Sequence, residues 1–259
     1  MSAPIEVSVI VPTLRERASL AVLLPRLFKV LDEANLHSEI VIVDDDSRDG
    51  TDLLCAEFAK RRPVRLITRR GQSGLATAVL TGLAESTGEI CAVMDADGSH
   101  PPEVIPALVD AARSPFCDVA IGSRYARGGS TDDQWSIFRR ANSRAATLLA
   151  RGLTRAADPM AGFFAIKRSQ LRRAKKLSPV GYKILLEVIV RCDCRRVVEV
   201  PIHFQDRALG ESKMSVAQQW QYLKHLARLY AARYLPAWLD RSAAPEVPQP
   251  HDFPRRRSA

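Results

Sequence analysis

The chain has few cysteines, few aromatic residues and no long apolar run. Its 259 residues include 5 cysteines, an odd number, and only 6% are aromatic. No run approaches the roughly 18–20 apolar residues that a membrane-spanning helix needs, so the sequence predicts no span. No signal peptide is recognisable before the first predicted strand, and we expect reduced thiols in a cytosolic compartment. Cys192 and Cys194 form a close pair, but no second pair or nearby histidine completes a zinc site.

Positive charge is in excess over negative charge. The chain has 38 Lys and Arg against 29 Asp and Glu, a formal net charge of +9. This balance indicates acidic partners, such as nucleic acid, nucleotide sugars or anionic lipid surfaces. The basic residues are not interleaved with aromatics in an RNA-binding pattern, so we expect no nucleic-acid partner. A nucleic-acid-binding module is kept as an alternative of a different class.

Apolar runs rich in β-branched residues alternate with segments of helical spacing. The runs that predict buried strands are Val7–Val11, Glu39–Val43, Val64–Thr68, Glu89–Met94, Val119–Ser123, Gly162–Lys167 and Val197–Phe204. The segments that predict helices are Ser19–Ala34, Asp52–Arg62, Leu75–Ser86, Pro101–Ala112, Ser136–Thr154, Lys183–Cys192 and Ser215–Leu239. Arg124–Asp133, with two adjacent glycines, predicts a flexible loop. This alternation predicts an α/β fold with a doubly wound, mainly parallel sheet flanked by helices.

We divide the chain into three parts. Residues 1–214 form the predicted α/β domain, residues 215–241 an amphipathic C-terminal helix interrupted near Pro236, and residues 242–259 a Pro- and Arg-rich tail. The polar, proline-rich composition of the tail predicts disorder.

Two carboxylates one residue apart, Asp95 and Asp97, follow a predicted buried strand. Hard oxygen ligands in this arrangement suit a divalent cation that is also held by substrate phosphates. A solvated turn after the strand is the competing interpretation. Pro12, Asp45 and Asp95 all follow strands, and ligands of doubly wound sheets bind outside the carboxyl ends of the strands. We therefore expect three loops to converge on one crevice.

Several motifs occur in one order along the chain. They are Val11-Pro12-Thr13-x-x-Glu16, Val43-Asp44-Asp45-x-Ser47-x-Asp49-Gly50-Thr51, Gly74-Leu75-x-Thr77-Ala78, Met94-Asp95-Ala96-Asp97-x-Ser99-His100-Pro101, Gly122-Ser123-Arg124-Tyr125, Asp158-Pro159-Met160-x-Gly162-Phe163-Phe164, Gly181-Tyr182-Lys183 and Asp206-Arg207-x-x-Gly210-Glu211-Ser212-Lys213. Together they resemble the family 2 glycosyltransferases, which have the GT-A nucleotide-sugar-binding fold. Within that family the chain is most similar to the dolichyl- and polyprenyl-phosphate mannose synthases.

The resemblance implies a nucleotide-sugar site. Its residues are Pro12, Glu16, Val43, Asp45, Asp95, Ala96, Asp97, Ser99, Arg124, Arg207 and Lys213. Mg²⁺ or Mn²⁺ would be bound by Asp97, with Asp95 and Ser99 at the same site. Competing interpretations are a turn and helix cap for the acids at Asp44–Asp46 and for Asp49, and a helix N-cap for Ser99.

Basic residues would contact the phosphates. The resemblance places Arg124, Arg139 and Ser143 at the acceptor phosphate, and a guanidinium suits phosphoryl oxygens through paired hydrogen bonds. Arg207 and Lys213, together with Asp97, would be catalytic, because they would stabilise the departing diphosphate.

The chain departs from the family pattern at three positions. Leu14 stands where an aromatic residue is usual, Gly98 where leucine is common, and Thr147 where relatives often have asparagine. These departures bear on the donor base more than on the class of reaction.

The resemblance implies transfer of mannose from GDP-mannose to a polyprenyl phosphate, with inversion at the anomeric carbon. A sibling enzyme that uses UDP-glucose or another UDP-sugar is the alternative. A phosphate monoester is already largely anionic at neutral pH, so the attack requires no general base. We therefore interpret His100 as structural.

The implied acceptor is a lipid, although no membrane span is predicted. The segment Ser215–Leu239 carries apolar and aromatic residues together with basic ones, a composition typical of a helix in the lipid interface. Packing on the domain core or on a partner is the alternative. We expect peripheral association with the cytoplasmic face of a membrane, and the resemblance leaves open whether a separate membrane subunit takes part.

Overall fold

The computed structural model describes residues 4–131, 137–174, 177, 183–204 and 216–235, with backbone only for 137–143 and 216–218. The strands are β1 (Val7–Thr13), β2 (Ser38–Asp44), β3 (Val64–Thr68), β4 (Ile90–Val93), β5 (Val119–Ser123), β6 (Ser130–Thr131), β7 (Phe164–Lys167), β8 (Val197–Pro201) and β9 (His203–Phe204). The helices are α1 (Arg17–Glu33), α2 (Thr51–Ala59), α3 (Leu75–Glu85), α4 (Ile105–Arg113), α5 (Ile137–Ala150), α6 (Arg168–Leu171), α7 (Ile184–Arg191) and α8 (Val216–Tyr234). A 3₁₀ turn, Pro102–Val104, precedes α4.

Seven strands form one sheet in the order β3-β2-β1-β4-β7-β5-β8. The pairs β1–β2, β1–β4, β2–β3 and β5–β8 are parallel. β7 runs antiparallel to both of its neighbours, β4 and β5. The predicted mainly parallel sheet is therefore confirmed, with one strand reversed inside it.

Helices cover both faces of this sheet, as the continuous apolar runs of the strands require. β1 and β2 are buried along their whole length. One core joins the sheet to α1 and α4, and a second core on the opposite face joins it to α3 and α7. At Gly82 of α3 the packing leaves no space for a side chain, since a Cβ there would lie 2.4 Å from a methyl carbon of Ile10.

Two predicted segments differ from the structure, and one short helix has no predicted counterpart. The predicted strand Val197–Phe204 is two strands in different sheets, because Ile202 is buried between them while β9 leaves to pair with β6. The predicted loop Arg124–Asp133 contains β6, whose Ser130 N–H donates to Ile202 O. The short helix α6 was not predicted.

A third, smaller core lies between α5, α7 and α8. It contains Leu153, Leu186, Val190, Leu226 and Leu229. A buried hydrogen bond between side chains crosses the same interface. His225 Nε2 of α8 lies 2.8 Å from Glu187 Oε2 of α7. One side of the C-terminal helix is therefore part of the folded domain, as the alternative interpretation of that segment held.

Candidate active site at the carboxyl ends of the strands

The carboxyl ends of β1, β2 and β4 lie side by side at one end of the sheet, across neighbouring strands. β1 pairs in parallel with β2 and with β4, and Pro12 lies opposite Val43 in the register. The order of the strands reverses at β1, which is where doubly wound sheets bind their ligands. Glu16, Asp45 and Asp95 follow these strands, so the structure brings the predicted nucleoside and metal positions to the same end of the sheet.

Three of the predicted contact residues offer little side chain to a ligand. Pro12 is buried, Val43 packs in the core against α3, and Ala96 packs in the core on the other face. A nucleotide at this edge would meet mainly their backbone atoms. Glu16 is half-buried at the start of α1, and its carboxylate accepts a hydrogen bond from Ser19 Oγ at 2.7 Å.

The two acids that follow β4 are held in different ways. The backbone N–H of Asp95 donates to His100 Nδ1 at 3.0 Å, and its side chain keeps partial exposure. Asp97 Oδ1 accepts the N–H of Ser99 at 3.1 Å, which closes a tight turn. The hydroxyl of Ser99 is buried and has no hydrogen-bond partner among the described residues. A buried hydroxyl without a partner costs free energy unless a ligand uses it.

These residues fit a hard divalent cation. Asp95, Asp97 and Ser99 offer two carboxylates and one unused hydroxyl, all oxygen donors. Within the described ranges no cluster of three or more His, Cys, Asp and Glu side chains could hold a metal by itself. A site of one or two carboxylates completed by substrate phosphates needs no such cluster, since Mg²⁺ keeps several ligand positions for water and phosphate.

His100 is buried and holds the backbone of Asp95 by a hydrogen bond. Its ring stacks on Phe163, with centroids 5.0 Å apart, and meets Phe204 edge-on. Burial lowers the pKa of His100 below its ordinary value. Because Nδ1 accepts the N–H of Asp95, the ring is neutral with its proton on Nε2. The neighbouring Gly162 packs closely on both side chains, since a Cβ there would lie 3.2 Å from Asp95 Oδ2 and from His100 Cε1.

Asp45 is engaged by a residue that the sequence interpretation missed. Arg69, the first residue after β3, donates to Asp45 Oδ1 from Nε at 2.8 Å and also from Nη2. Asp45 Oδ2 accepts the N–H of Gly74 at 2.9 Å. The available signal was positional, because Arg69 follows β3 in the way that Asp45 follows β2.

Two neighbouring acids belong to the turn after β2. Asp44 is buried and accepts hydrogen bonds from Ser47 N–H, Ser47 Oγ and Thr13 Oγ1. Asp49 Oδ1 accepts the N–H and the hydroxyl of Thr51 at the start of α2. Both therefore have the turn and cap contacts of the competing interpretation.

Arg124, a predicted phosphate contact, is anchored to Asp158. The guanidinium donates from Nε and Nη2 to the two carboxylate oxygens, each at 2.7 Å, and lies 5.3 Å from the centroid of the Phe204 ring. Burial opposes the charge of Arg124, but the hydrogen bonds to Asp158 outweigh it and raise the pKa. Asp158 is held in turn by Glu199, which accepts its backbone N–H at 3.0 Å.

Lys183, at the start of α7, is the second cation of this group. Burial, together with the nearby Arg124, lowers the pKa of its ammonium to about 8. The carboxylates of Asp158 and Asp95 act in the opposite direction. The sequence pointed to Lys183 only as part of a motif and gave it no role.

Four predicted site residues have no described side chain. Arg207 and Lys213 lie outside the described residues, in the segment that follows β9. Arg139 and Ser143 lie on the first part of α5, residues 137–143, for which the structure gives the backbone alone. Their roles stay predictions.

Helices α5 and α8 lie beside each other and expose apolar side chains. The hydroxyls of Tyr222, Tyr230 and Tyr234 on α8 donate to carbonyl oxygens of Ala146, Leu149 and Gly152 in and after α5. Among the described side chains of the two helices, the large apolar ones that are exposed are Leu148, Leu149, Trp220, Leu223 and Tyr234. Within the described part of the chain, no helix has the length and apolar character of a membrane span.

Residues 8–173 match the family described as Glycosyl transferase family 2. Among curated proteins, the chain is 41% identical over 228 residues to a dolichol-phosphate mannosyltransferase from Pyrococcus furiosus, covering 86% of this chain and 63% of that protein. It is 37% identical over 239 residues to a protein of the same name from Saccharomyces cerevisiae, covering 89% of each. The chain thus spans less than two thirds of the Pyrococcus protein and most of the yeast protein.

Solved structures show the same fold. Glucosyl-3-phosphoglycerate synthase from Mycobacterium tuberculosis, in complex with Mn²⁺, uridine diphosphate and glucosyl-3-phosphoglycerate, superposes with a TM-score of 0.63 at 17% identity, over 89% of this chain and 81% of that one. The complex of the same enzyme with Mg²⁺ and uridine diphosphate gives a TM-score of 0.61 at 16% identity, over 89% and 80% of the two chains. At this identity the likeness shows the fold.

Proposed function

The chain belongs to glycosyl transferase family 2, and we propose that it transfers mannose from GDP-mannose to a polyprenyl phosphate. The observation that carries the proposal is that Asp45 and the pair Asp95 and Asp97 follow strands that both pair in parallel with β1, and that the nearby Ser99 hydroxyl is buried without a hydrogen-bond partner among the described residues. The curated relatives, named for mannosyl transfer to dolichol phosphate, support the choice of sugar and acceptor.

The donor nucleoside would lie over the ends of β1 and β2. Asp45 accepts hydrogen bonds there, and Glu16 lies between the end of β1 and the start of α1. A carboxylate suits the N–H groups of a base or the hydroxyls of a ribose. The diphosphate then extends towards the end of β4, where Asp95 and Asp97 follow.

Asp97, Asp95 and Ser99 would hold Mg²⁺ or Mn²⁺, which when bound neutralises charge on the diphosphate. Solved relatives of the same fold contain Mn²⁺ or Mg²⁺ with uridine diphosphate. The chain's own contribution is orientation. His100 fixes the backbone of Asp95, and the turn closed by the Ser99 N–H fixes Asp97.

Attack by the acceptor needs no general base from the protein. A phosphate monoester is largely anionic at neutral pH, and its oxygen attacks C1 of the sugar directly as the diphosphate leaves from the opposite face. This agrees with a neutral, buried His100 that is already used as an acceptor. Arg207 and Lys213 would stabilise the negative charge of the leaving group, and Arg139 and Ser143 would contact the acceptor phosphate.

The lipid acceptor would reach the site along the surface of α5 and α8. Exposed Leu148, Leu149, Trp220 and Leu223 lie on helices that also carry the exposed cations Arg144, Lys224 and Arg228. Apolar side chains beside basic ones favour the interface of an anionic membrane. We place the enzyme on the cytoplasmic face, and five buried free thiols support a reducing compartment.

The direct test is a transfer assay with radiolabelled GDP-mannose and a short polyprenyl phosphate, in Mg²⁺ or in EDTA. The variants are Asp97→Ala and, as a matched control, Asp110→Ala on the exposed side of α4. We expect label in the lipid phase for the wild type and the control, and none with EDTA or Asp97→Ala.

Three other outcomes would change or contradict this assignment. Transfer from a UDP-sugar but not from GDP-mannose would reassign the donor. Activity that appears only when membranes are added would indicate a separate membrane subunit. Absence of transfer from every donor, with membranes present, would contradict the proposal.

A further inference from the structure

A buried arginine, Arg69, lies between the end of β2, the end of β3 and the start of α3. The side chain of Arg69 is 3% exposed. Its backbone N–H donates to Asp44 O at 2.8 Å, which ties the end of β3 to the end of β2. The guanidinium then reaches Asp45 on one side and the start of α3 on the other.

All three nitrogens of this guanidinium donate hydrogen bonds, through four of its five N–H groups. Nε and Nη2 donate to Asp45 Oδ1, Nη1 donates to Thr77 Oγ1 at 2.8 Å, and Nη2 also donates to Gly74 O at 3.0 Å. Thr77 Oγ1 donates to the same Gly74 carbonyl at 2.8 Å. Gly74 has a φ of +126°, which glycine adopts readily, and from that conformation its N–H reaches Asp45 Oδ2.

The two carboxylate oxygens of Asp45 accept different numbers of hydrogen bonds. Oδ1 receives two hydrogen bonds from Arg69, whereas Oδ2 receives one from Gly74. A carboxylate accepts about four hydrogen bonds in all. The remaining acceptor position is therefore on Oδ2, and the fork of Arg69 prevents the carboxylate from rotating.

We propose that Arg69 is a positioning residue for nucleoside recognition, acting through Asp45. It holds the carboxylate so that Oδ2 meets one donor group of the nucleotide, either a ring N–H of the base or a ribose hydroxyl. Arg69 itself makes no contact with the nucleotide. The inference rests on the proposed function, because it gives Asp45 the nucleoside role.

The test is nucleotide binding by the full chain, measured by titration calorimetry with GDP, UDP and ADP in Mn²⁺. Loss of a hydrogen bond to a charged group corresponds to about ten- to hundredfold in affinity. We expect a loss in that range for Arg69→Gln and for Arg69→Lys, since an ammonium cannot form the fork. Thr77→Val, which removes one guanidinium contact and leaves the ion pair, should cost less.

Arg168 gives a matched control. It is also a buried arginine with several hydrogen bonds, to Gly88 O, Leu83 O and Ser86 Oγ. These contacts lie before β4, at the opposite ends of the strands from Asp45. Arg168→Lys should lower the melting temperature as Arg69→Lys does and leave nucleotide affinity unchanged. In the double variant, Arg69→Gln should cause no further loss of affinity once Asp45→Asn is present, because the effect passes through one carboxylate.

The pattern across nucleotides identifies the contact. Guanine and uracil carry a ring N–H where adenine has an acceptor, so a loss confined to GDP and UDP marks a base contact. Equal losses for all three mark a ribose contact, and either result supports the proposal. Unchanged nucleotide affinity in folded Arg69 variants would overturn this inference and leave the proposed function standing. A wild type that binds none of the three nucleotides would overturn the proposed function as well.

Discussion

Asp158 accepts two hydrogen bonds from the guanidinium of Arg124, each 2.7 Å long, and its side chain has no solvent exposure. A third bond, from the backbone N–H of Arg124 at 3.1 Å, completes the contact. The pair joins the loop after β5 to the segment before β7. It thereby fixes the part of the site that borders His100 and Lys183.

Asp158→Ala should therefore be strongly destabilising. Removing one partner leaves a buried charge without compensation, which costs about 3–5 kcal/mol of unfolding free energy. Urea denaturation of the wild type and the variant measures the loss. Asp110→Ala, which removes a carboxylate from an exposed pair, should stay within about 0.5 kcal/mol of the wild type. Equal stability of the two variants would contradict the structural role of Asp158.

Ser99→Ala should weaken metal binding without lowering the stability of the fold. Its hydroxyl is buried without a partner, so its removal should leave the unfolding free energy unchanged or raise it by about 1 kcal/mol. Binding of Mn²⁺ in the presence of GDP should weaken. Ser86→Ala is the contrasting variant, because the Ser86 hydroxyl donates to Leu83 O and accepts from Arg168, and its loss should destabilise. Unchanged Mn²⁺ affinity in Ser99→Ala would exclude Ser99 as a ligand.

Stability should depend on pH through Lys183. Its pKa is lowered from 10.5 to about 8, chiefly by burial. Above pH 8 the folded state loses this proton while the unfolded state keeps it, so the unfolding free energy should rise with pH up to about 10.5 and be flat below 8. The rise amounts to about 3 kcal/mol, because each pKa unit corresponds to about 1.4 kcal/mol.

The measurement is the difference in unfolding free energy between the wild type and Lys183→Met, at steps from pH 7 to 10. This difference should grow in favour of the wild type above pH 8. Lys29→Met, at an exposed position of α1, should show no such growth. A constant difference for Lys183→Met would show that the ammonium titrates normally.

Exposed apolar residues of α5 and α8 should contribute to membrane binding. Trp220 is 61% exposed and Leu148 69% exposed. Burying such a side chain in a lipid interface is worth about 1.5–3 kcal/mol, so Trp220→Ser and Leu148→Ala should each weaken vesicle binding by about tenfold or more. Sedimentation with anionic vesicles at low salt measures this. Leu53→Ala on α2, equally exposed, is the control, and an equal loss there would argue against a membrane role for α5 and α8.

The five cysteines should be unreactive in the folded protein. All are buried free thiols, and burial raises the pKa of Cys55 to about 11. Since the thiolate is the reactive form, Ellman's reagent at pH 8 should modify no cysteine under native conditions and all five in guanidinium chloride. Rapid modification of any thiol in the native protein would show that its site opens locally.

Much of the fold could be predicted from local patterns. Strands β3 and β5 have the predicted bounds, and the predicted strands Val7–Val11 and Glu39–Val43 lie inside β1 and β2. Buried β-branched runs and amphipathic helices are readable because each pattern depends only on neighbours in the sequence. The reversal of β7 was not readable, since an apolar strand has the same pattern in either direction. Nor was the division at Ile202, because continuous apolar spacing does not show where a chain changes sheets.

The same distinction applies to the site, where some features were readable from the sequence and others were not. The sequence by itself determined the strand-and-helix order, the acids after the strands and the family resemblance, because these depend on residue type and spacing. Only the tertiary structure joined Arg69 to Asp45, 24 residues apart, and Arg124 to Asp158, 34 residues apart. It also packed one side of α8 on the domain. Such contacts depend on which strands become neighbours in the sheet, and that is decided by packing of the whole core.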